Sequence, residues 1–303
     1  MTTGKQDHHF IPRFYTKRWA RSGLLCEFSR PHDVVKPRRT STKGTGYVPR
    51  LYAIDEETHS NRLEEEFYKP VDTRAADSLV LLESGIANEA WPPRLRLAWA
   101  RFVMTLLMRM PEDMALMEAS YRKEFAYLTE EQEREWTARR KPNWPVTLEA
   151  ALAALDVKAA AGQAKEVATR LMQNDRITTG VIAMHWRALD VSPAREVLLT
   201  SDRPVQLEGK LGDDRTQLVL PIGPDRLFIA GGSRRHADRI AARTPDQLVA
   251  RSNRDVTEAA HQYVYGVDDG ALDFVRRHFR QRRPKTLLEQ VVAQVAAKRG
   301  PSR

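Results

Sequence analysis

The chain of 303 residues contains a single cysteine, Cys26, so no disulfide can form within it. One cysteine fits a reducing compartment, and we expect a cytoplasmic protein. No apolar run approaches the roughly 18 to 20 residues that a membrane span needs, and the polar N-terminus has no apolar signal core. These absences exclude a disulfide scaffold and predict a protein that is not embedded in a membrane.

Several common ligand-binding motifs are missing as well. The sequence has no phosphate-binding glycine loop, no cysteine and histidine spacing of a zinc site and no dinucleotide fingerprint. The Gly-x-Ser-x-Gly elbow of many hydrolases is also missing. Any chemistry must therefore depend on polar residues outside these motifs.

Positive charge is present in excess. Lysine and arginine number 49 against 40 aspartate and glutamate, which gives a formal net charge of +9 and favours polyanions. Between residues 276 and 285 basic residues dominate and no acid intervenes. This strip is either a nucleic-acid contact or a solvated helix end followed by a linker. The candidate phosphate contacts are Arg276, Arg277, Arg280, Arg282, Arg283 and Lys285.

The order of hydrophobic patterns predicts an α+β protein. Strand-like runs such as LLCEFSR and RLYAI occupy residues 8–58, helical patterns fill 61–180, and strands with one helix follow at 182–266. These portions predict one domain over residues 1–266, followed by a basic helical tail at 267–303. We expect the N-terminal and C-terminal strands to form a mixed or antiparallel sheet packed against the helical centre.

The segment near residues 94–110 gives the clearest helical signal. Prolines precede its first turn and Pro111 follows its end, as is usual at helix boundaries. It is apolar on nearly every side, which predicts a buried central helix. Arg109 points along an apolar face. Because an unpaired buried guanidinium costs several kcal/mol, it should hold a carboxylate, a carbonyl or a bound anion.

A capping pair predicts where the helical region begins. Asn61 and Glu64 have the spacing at which each side chain satisfies the other's free backbone amide. Pro70 follows in the same segment, and we expect it to kink or break the helix.

Two further polar residues are candidates, one after a strand and one inside a helix. Asp202 follows an apolar strand, where it could bind a divalent cation, pair with Arg109 or form an Asx turn before Pro204. Asn253 lies in a helix whose start is marked by Thr244 and a following proline. Interior asparagine is unfavourable in a helix, so Asn253 either caps a neighbouring loop or reaches a ligand.

Motifs spread along most of the chain resemble one known family. HHFIPRFYTKRWA resembles a His-His-x-x-Pro-x-x-Tyr start, and LEEEF places Glu64 at a mid-chain acid. LLMRMPE resembles an Arg-x-Pro helix end, which matches Arg109, and LLTSDRPV and RSNRDVTEAAHQYVYG resemble a Thr-Ser-Asp-x-Pro turn and a late asparagine helix. In this order the motifs are similar to the bacterial family called domain of unknown function number 4238. The resemblance covers about residues 7–266 and implies a fold type, but it brings no established activity or substrate.

The paired histidines His8 and His9 open the matching region. Neighbouring side chains of a strand point to opposite faces, so only one of them can face a given site. DHHFIP is also similar to the first strand of HNH-type nucleases, but the later parts of that motif do not follow, since His59 and Asn61 lie about fifty residues on and in the wrong order. A histidine bonded inside the fold, a histidine in another functional pocket and an HNH site stay open.

Two functional hypotheses follow from these residues. The first is an enzyme acting on phosphodiester or nucleotide substrates, in which a histidine is the general base and Arg109 steadies developing charge. Glu64 and Asp202 would then hold Mg²⁺, an ion that prefers oxygen ligands. The second is a non-enzymatic nucleic-acid- or protein-binding component of a bacterial defence or toxin locus. The candidate catalytic residues are His8, His9, Glu64, Arg109, Asp202 and Asn253.

Overall fold

The computed structural model confirms the α+β class, with helices and antiparallel sheets sharing the core. The structure describes residues 7–53, 62–125, 130–153, 157–172 and 175–298. The strands are β1 Asp7–His9, β2 Leu25–Ser29, β3 Lys36–Thr40, β4 Tyr47–Pro49, β5 His185–Asp190, β6 Thr200–Ser201, β7 Gln206–Glu208, β8 Gln217–Gly223, β9 Arg226–Gly231 and β10 Val264–Gly266.

Helices fill the middle of the described chain and return near its C-terminal end. None of the helices in the described part has both the length and the apolar character that crossing a bilayer requires. The α-helices are α1 Arg13–Thr16, α2 Lys69–Glu83, α3 Pro93–Met108, α4 Pro111–Phe125, α5 Glu130–Arg139, α6 Leu148–Ala153, α7 Val157–Met172, α8 Asp175–Ile182, α9 Arg234–Ala241, α10 Pro245–Ala259, α11 Leu272–His278 and α12 Leu287–Lys298.

The described strands divide into three antiparallel sheets rather than one. A two-stranded sheet pairs β1 with β4, so that His9 lies opposite Tyr47. The second sheet has the order β3-β2-β10-β6, and the third has the order β5-β9-β8-β7. The second sheet joins strands from both ends of the chain, as the sequence predicts.

Helix α3 is central and buried, which confirms the prediction for this segment. Trp99, Phe102 and Val103 are fully buried, and each such side chain contributes about 1.5–3 kcal/mol by leaving water. Helices α2, α7, α8 and α12 pack around α3. The ring of Trp99 meets Phe228 of β9 edge-on at 5.5 Å, which joins the helix to the third sheet.

Two local predictions are wrong. The segment RLYAI does not form a strand over its described residues, because Arg50 has a left-handed φ of 58° and the chain turns there. Pro70 does not break the helix. It occupies the first turn of α2, where its missing N–H costs little, and a π-helical turn at Glu64–Tyr68 leads directly into it. Asn61 of the capping pair lies outside the described residues.

Helices α11 and α12, which belong to the predicted tail, pack against the rest of the protein. Val275 and Phe279 lie in a core beneath the second sheet. Leu288 of α12 is buried in the main core, where α12 contacts α3 and α4. This part of the chain therefore contributes apolar surface to both cores.

Candidate functional site

Arg109 follows the last residue of α3, and only 1% of it is exposed. Its Nη1 donates to Asp72 Oδ1 at 3.0 Å, and its Nη2 donates to the carbonyl of His9 at 2.7 Å. Burial alone would lower the pKa of Arg109, but the nearby Asp72 carboxylate and Tyr52 outweigh it and keep the guanidinium charged. The prediction that Arg109 holds a carboxylate or a carbonyl is confirmed.

Two tyrosine rings complete the surroundings of this guanidinium. Tyr68 lies with its ring centroid 4.8 Å from the guanidinium carbon of Arg109, and it stacks on Tyr52 at 4.1 Å. The Tyr52 hydroxyl donates to the Arg109 carbonyl at 2.9 Å. A cation over an aromatic face gains about 0.5–2 kcal/mol. Arg109 is thus fixed by rings as well as by charge.

His8 lies on the buried side of β1, with 2% exposed. Its Nδ1 accepts the N–H of Tyr52 at 2.8 Å, and its ring stacks on the Tyr52 ring at 5.5 Å. The turn at Arg50 brings Tyr52 back to this position. His8 is therefore the histidine bonded inside the fold, and it ties β1 to the chain after β4.

His9 points the other way, as strand alternation requires, and is half-buried. Its Nε2 is buried and has no hydrogen-bond partner among the described residues. Burial lowers the pKa of His9, and the positive charges of Arg13 and Arg109 lower it further, against the opposing effects of the Thr42 carbonyl and Asp7. His9 is consequently neutral at pH 7, in the form that can accept a proton.

The π-helical turn explains why Glu64 and Asp72 both lie near Arg109. In a regular α-helix eight residues rotate a side chain about 80° away from its starting direction. A π turn closes its hydrogen bonds one residue later than an α turn, so each of its residues rotates the chain by less. The two carboxylates are thereby brought toward one face of the helix.

Glu64 is half-buried, and its Oε2 has no hydrogen-bond partner within the ranges that the structure describes. Burial raises the pKa of Glu64, Arg109 opposes this, and the like charge of Asp72 adds to it. A carboxyl group with a raised pKa keeps its proton closer to neutral pH, as a general acid requires. The residues gathered here form the Arg109 cluster, which consists of His8, His9, Tyr52, Glu64, Tyr68, Asp72 and Arg109.

The family model for a protein of unknown function, DUF4238, matches residues 7–270. The chain belongs to this family. No curated protein and no solved structure matches the chain. Membership in DUF4238 therefore supports the fold-level resemblance and leaves the chemistry to be argued from the residues.

In this DUF4238 protein Asp202 has neighbours different from those of the Arg109 cluster. Its carboxylate accepts the backbone N–H groups of His261 at 2.8 Å, of Tyr263 at 3.1 Å and of Gln262. Burial raises the pKa of Asp202 to about 6, and these three bonds oppose the rise. Asp202 thus fastens the chain that leaves α10, and its described bonds are neither an ion pair with Arg109 nor an Asx turn.

Asn253 also bonds to backbone. Its Oδ1 accepts the N–H of Leu199 at 2.7 Å, and its Nδ2 donates to the carbonyl of Val197 at 2.9 Å. Helix α10 begins with the predicted cap, in which Thr244 and Gln247 bond each other's backbone. The interpretation of Asn253 as the cap of a neighbouring loop is confirmed, and the residue clips α10 to the segment before β6.

The predicted Mg²⁺ site required Glu64 and Asp202 to meet. The structure gives Glu64 the neighbours Arg109 and Asp72, whereas Asp202 accepts three N–H groups beyond α10. Within the described ranges, no group of three His, Cys, Asp or Glu side chains is placed to hold a metal ion. Among the six candidates, the structure brings together His8, His9, Glu64 and Arg109, and it gives Asp202 and Asn253 separate backbone partners.

The basic strip of this DUF4238 protein is exposed but partly neutralised. Three of its arginines pair with acids: Arg276 with Asp273, Arg282 with Asp255 and Glu258, and Arg283 with Glu289. The exposed members are Arg276, Arg277, Arg280, Arg282, Arg283 and Lys285. The strip therefore has less unpaired charge than its sequence indicates.

His59 and Asn61, considered for the HNH alternative, lie outside the described residues.

Sequence reasoning missed Tyr52, Tyr68 and Asp72. The strand-like and helical patterns around Tyr52 and Tyr68 give no sign that either ring meets a cation. Asp72 stands eight residues after Glu64, which is not a regular helical repeat. The one usable signal was the charge of Arg109, which requires an acidic partner but does not show which acid it is.

Proposed function

We propose that this protein is a hydrolase of phosphodiester or nucleotide substrates and that the Arg109 cluster is its acid–base centre. One observation carries the proposal. His9 Nε2 and Glu64 Oε2 are buried polar atoms without a hydrogen-bond partner in the described chain, and both lie within the electrostatic reach of Arg109. An unpaired buried polar atom costs about 1–3 kcal/mol, and a cost of this kind is typical of functional sites.

The two residues suit complementary roles. Neutral His9 accepts a proton from water as the water oxygen forms a bond to phosphorus. Glu64 donates a proton to the oxygen that leaves as the original phosphorus–oxygen bond breaks. Both residues are only half-buried, but the two unpaired atoms themselves are enclosed, so a substrate must displace neighbouring groups to reach them. Arg109 is a positioning residue in this scheme, because it is buried and holds the carbonyl of His9.

Positive charge beside His9 supports a polyanionic substrate. Arg13 is exposed and close enough to lower the pKa of His9. The segment from Lys36 to Arg50 carries five basic residues and no acid, although Arg38 pairs with Glu27. Its Tyr47 meets the His9 ring at 5.6 Å. Such a surface favours phosphate backbones. A cytoplasmic location, which suits the buried free thiol of Cys26, belongs to the same proposal.

A second candidate function is a non-enzymatic nucleic-acid- or protein-binding component of a defence or toxin locus. It is favoured by the exposed basic strip at residues 276–285. The ion pairs of that strip reduce its free charge, so the hydrolase is the better-supported reading.

One experiment tests both candidates. Purified protein is incubated with labelled single-stranded DNA, with RNA and with bis(p-nitrophenyl) phosphate, each in Mg²⁺ and in EDTA. We expect cleavage that falls by about 10²–10⁴-fold in His9→Gln and in Glu64→Gln, the usual loss for a general acid or base. The matched controls are His185→Gln, a half-buried strand histidine, and Glu66→Gln, an exposed neighbour of Glu64.

The outcomes separate the candidates. Cleavage that survives in both His9→Gln and Glu64→Gln rules out the Arg109 cluster as the centre. Salt-sensitive binding of the oligonucleotides without turnover supports the non-enzymatic candidate and contradicts the hydrolase. Unchanged melting temperatures of the variants show that a loss of activity is not a loss of fold.

A further inference from the structure

A cavity of about 100 Å³ lies between α3, the start of α4, the β6–β7 connection and the start of α12. This volume holds several water molecules or a small organic group. Its wall is mixed. The apolar part includes Leu106, Met110, Val205 and Leu207, and the polar part includes Asp113, Arg203, Gln206, Lys285, Thr286 and Gln290. The cavity shares no lining residue with the Arg109 cluster.

Asp113 places a carboxylate in this wall. Only 2% of the residue is exposed, and neither carboxylate oxygen has a hydrogen-bond partner in the part of the chain that the structure describes. Burial raises the pKa of Asp113 to about 6. The neighbouring Thr286 hydroxyl, Arg203 and the Met110 backbone N–H oppose the rise, and Glu112 adds to it. Arg203 is already engaged by Glu112, with Nη2 and Oε1 2.5 Å apart.

An unpaired buried carboxylate is costly unless a donor reaches it. The first turn of α4 carries Asp113, and the positive end of the helix dipole there favours its charge. The hydroxyl of Thr286 accepts the N–H of Glu289 at 3.0 Å, so its proton can turn toward Asp113. The carboxylate still has acceptor capacity for an incoming group with several donors.

The groups that line the cavity indicate the chemical class of its ligand. An ammonium group brings three donors and a compensating charge to Asp113. The aliphatic wall suits a short branched hydrocarbon stem. Lys285 is exposed at the rim, where it repels a second cation and attracts an anionic group. We propose that this Asp113 pocket binds a small zwitterion of the apolar amino-acid class, with its ammonium on Asp113 and its carboxylate toward Lys285.

Three probes that share one branched hydrocarbon stem test the assignment. The full chain is titrated calorimetrically with L-leucine, with 3-methylbutylamine, which lacks the carboxylate, and with 4-methylpentanoate, which lacks the amine. We expect the first two to bind and the third not to bind. Asp113→Asn should weaken both by about tenfold or more, as expected for losing a charged hydrogen bond. Lys285→Gln should weaken leucine alone.

The matched control is Asp77→Asn, which removes an exposed carboxylate on α2 and should leave all three titrations unchanged. Failure of both amines to bind the wild-type protein overturns the proposal, and so does equal binding by Asp113→Asn. Binding of 4-methylpentanoate alone overturns it too, because the anion would then be the recognised group. If Asp113→Asn does not fold, the comparison of the probes and Lys285→Gln still decides.

Discussion

Arg109 connects three distant parts of the chain. Its guanidinium holds Asp72 from α2 and the carbonyl of His9 from β1, while its backbone carbonyl accepts the Tyr52 hydroxyl. The planar fork of an arginine can serve two acceptors in fixed directions, whereas the ammonium of a lysine is a single point of charge. Loss of the fork leaves a buried carbonyl or a carboxylate without its partner.

Arg109→Lys should lower the free energy of unfolding by about 3 kcal/mol, the cost typical of breaking a buried ion pair. Urea unfolding at pH 7 measures the change. Arg94→Lys, in the exposed first turn of α3, is the control and should stay within about 0.5 kcal/mol of the wild type. Equal stability of the two variants would show that the fork geometry is unimportant.

For a single residue, the sequence shows that a buried charge needs a partner, but it does not show which residue that partner is. A charged residue near the end of an apolar helix demands a counter-charge on energetic grounds alone. Asp72 reaches Arg109 because of a π turn that no residue pattern predicts. His9 contacts Arg109 through its backbone carbonyl, a group that every residue has. The two unpaired atoms, His9 Nε2 and Glu64 Oε2, follow only from three-dimensional packing.

Among the elements, helices with clear boundary residues are predicted well and short strands are not. Helix α10 begins at the Thr244 cap, and α3 lies between its prolines, because these signals are local. Strand β6 has two residues, and its partner β10 lies more than sixty residues further on. Its pairing depends on side chains such as Asn253 that clip separate elements together.

Asn253→Asp tests whether the two hydrogen bonds of the Asn253 amide hold α10 to the segment before β6. The new carboxylate can still accept from Leu199 N–H, but it meets the carbonyl of Val197, to which the amide of Asn253 donates. We expect a loss of about 2 kcal/mol or more in the free energy of unfolding, larger than that of Asn253→Ala. Thermal melts measure it, with the exposed Arg254→Ala on the same helix as the control. A smaller loss for Asp than for Ala would contradict the assigned amide orientation.

For the whole molecule, the sequence predicts the α+β class and the joining of both chain ends in one sheet. It does not predict the division into three sheets, because the period of a strand says which face is buried and not which strand is its neighbour. It also gives no sign of the buried carboxylate of Asp113. Its pKa is raised by burial, and the residues that oppose the rise, such as Thr286 and Arg203, lie far away along the chain.

The stability of the protein should therefore depend on pH through Asp113. Its folded pKa of about 6 exceeds the ordinary 3.8, so the folded protein binds this proton more tightly than the unfolded chain does. The stabilisation is complete below about pH 4 and is lost as the pH rises through about 6. The difference between the two pKa values corresponds to about 3 kcal/mol.

Asp113→Asn should reduce this slope, leaving the part that Asp202 contributes through its own pKa of about 6, and be the more stable protein at pH 8. The groups that face Asp113 are Glu112, Arg203, Thr286 and Lys285, and the substitution leaves all four in place. Urea unfolding from pH 4 to 8 measures the difference from the wild type. The same slope in both proteins would contradict the assignment, and Asp77→Asn should reproduce the wild-type curve.

The π-helical turn at Glu64–Tyr68 has a practical effect on how relatives are aligned. A homologue that lacks the extra residue would show a one-position gap there, with its two acids seven apart instead of eight. Seven residues of an ordinary helix return to within about 20° of the starting direction, so both acids would still reach the same arginine. A search profile that permits either separation would keep such homologues, whereas one fixed at eight would discard them.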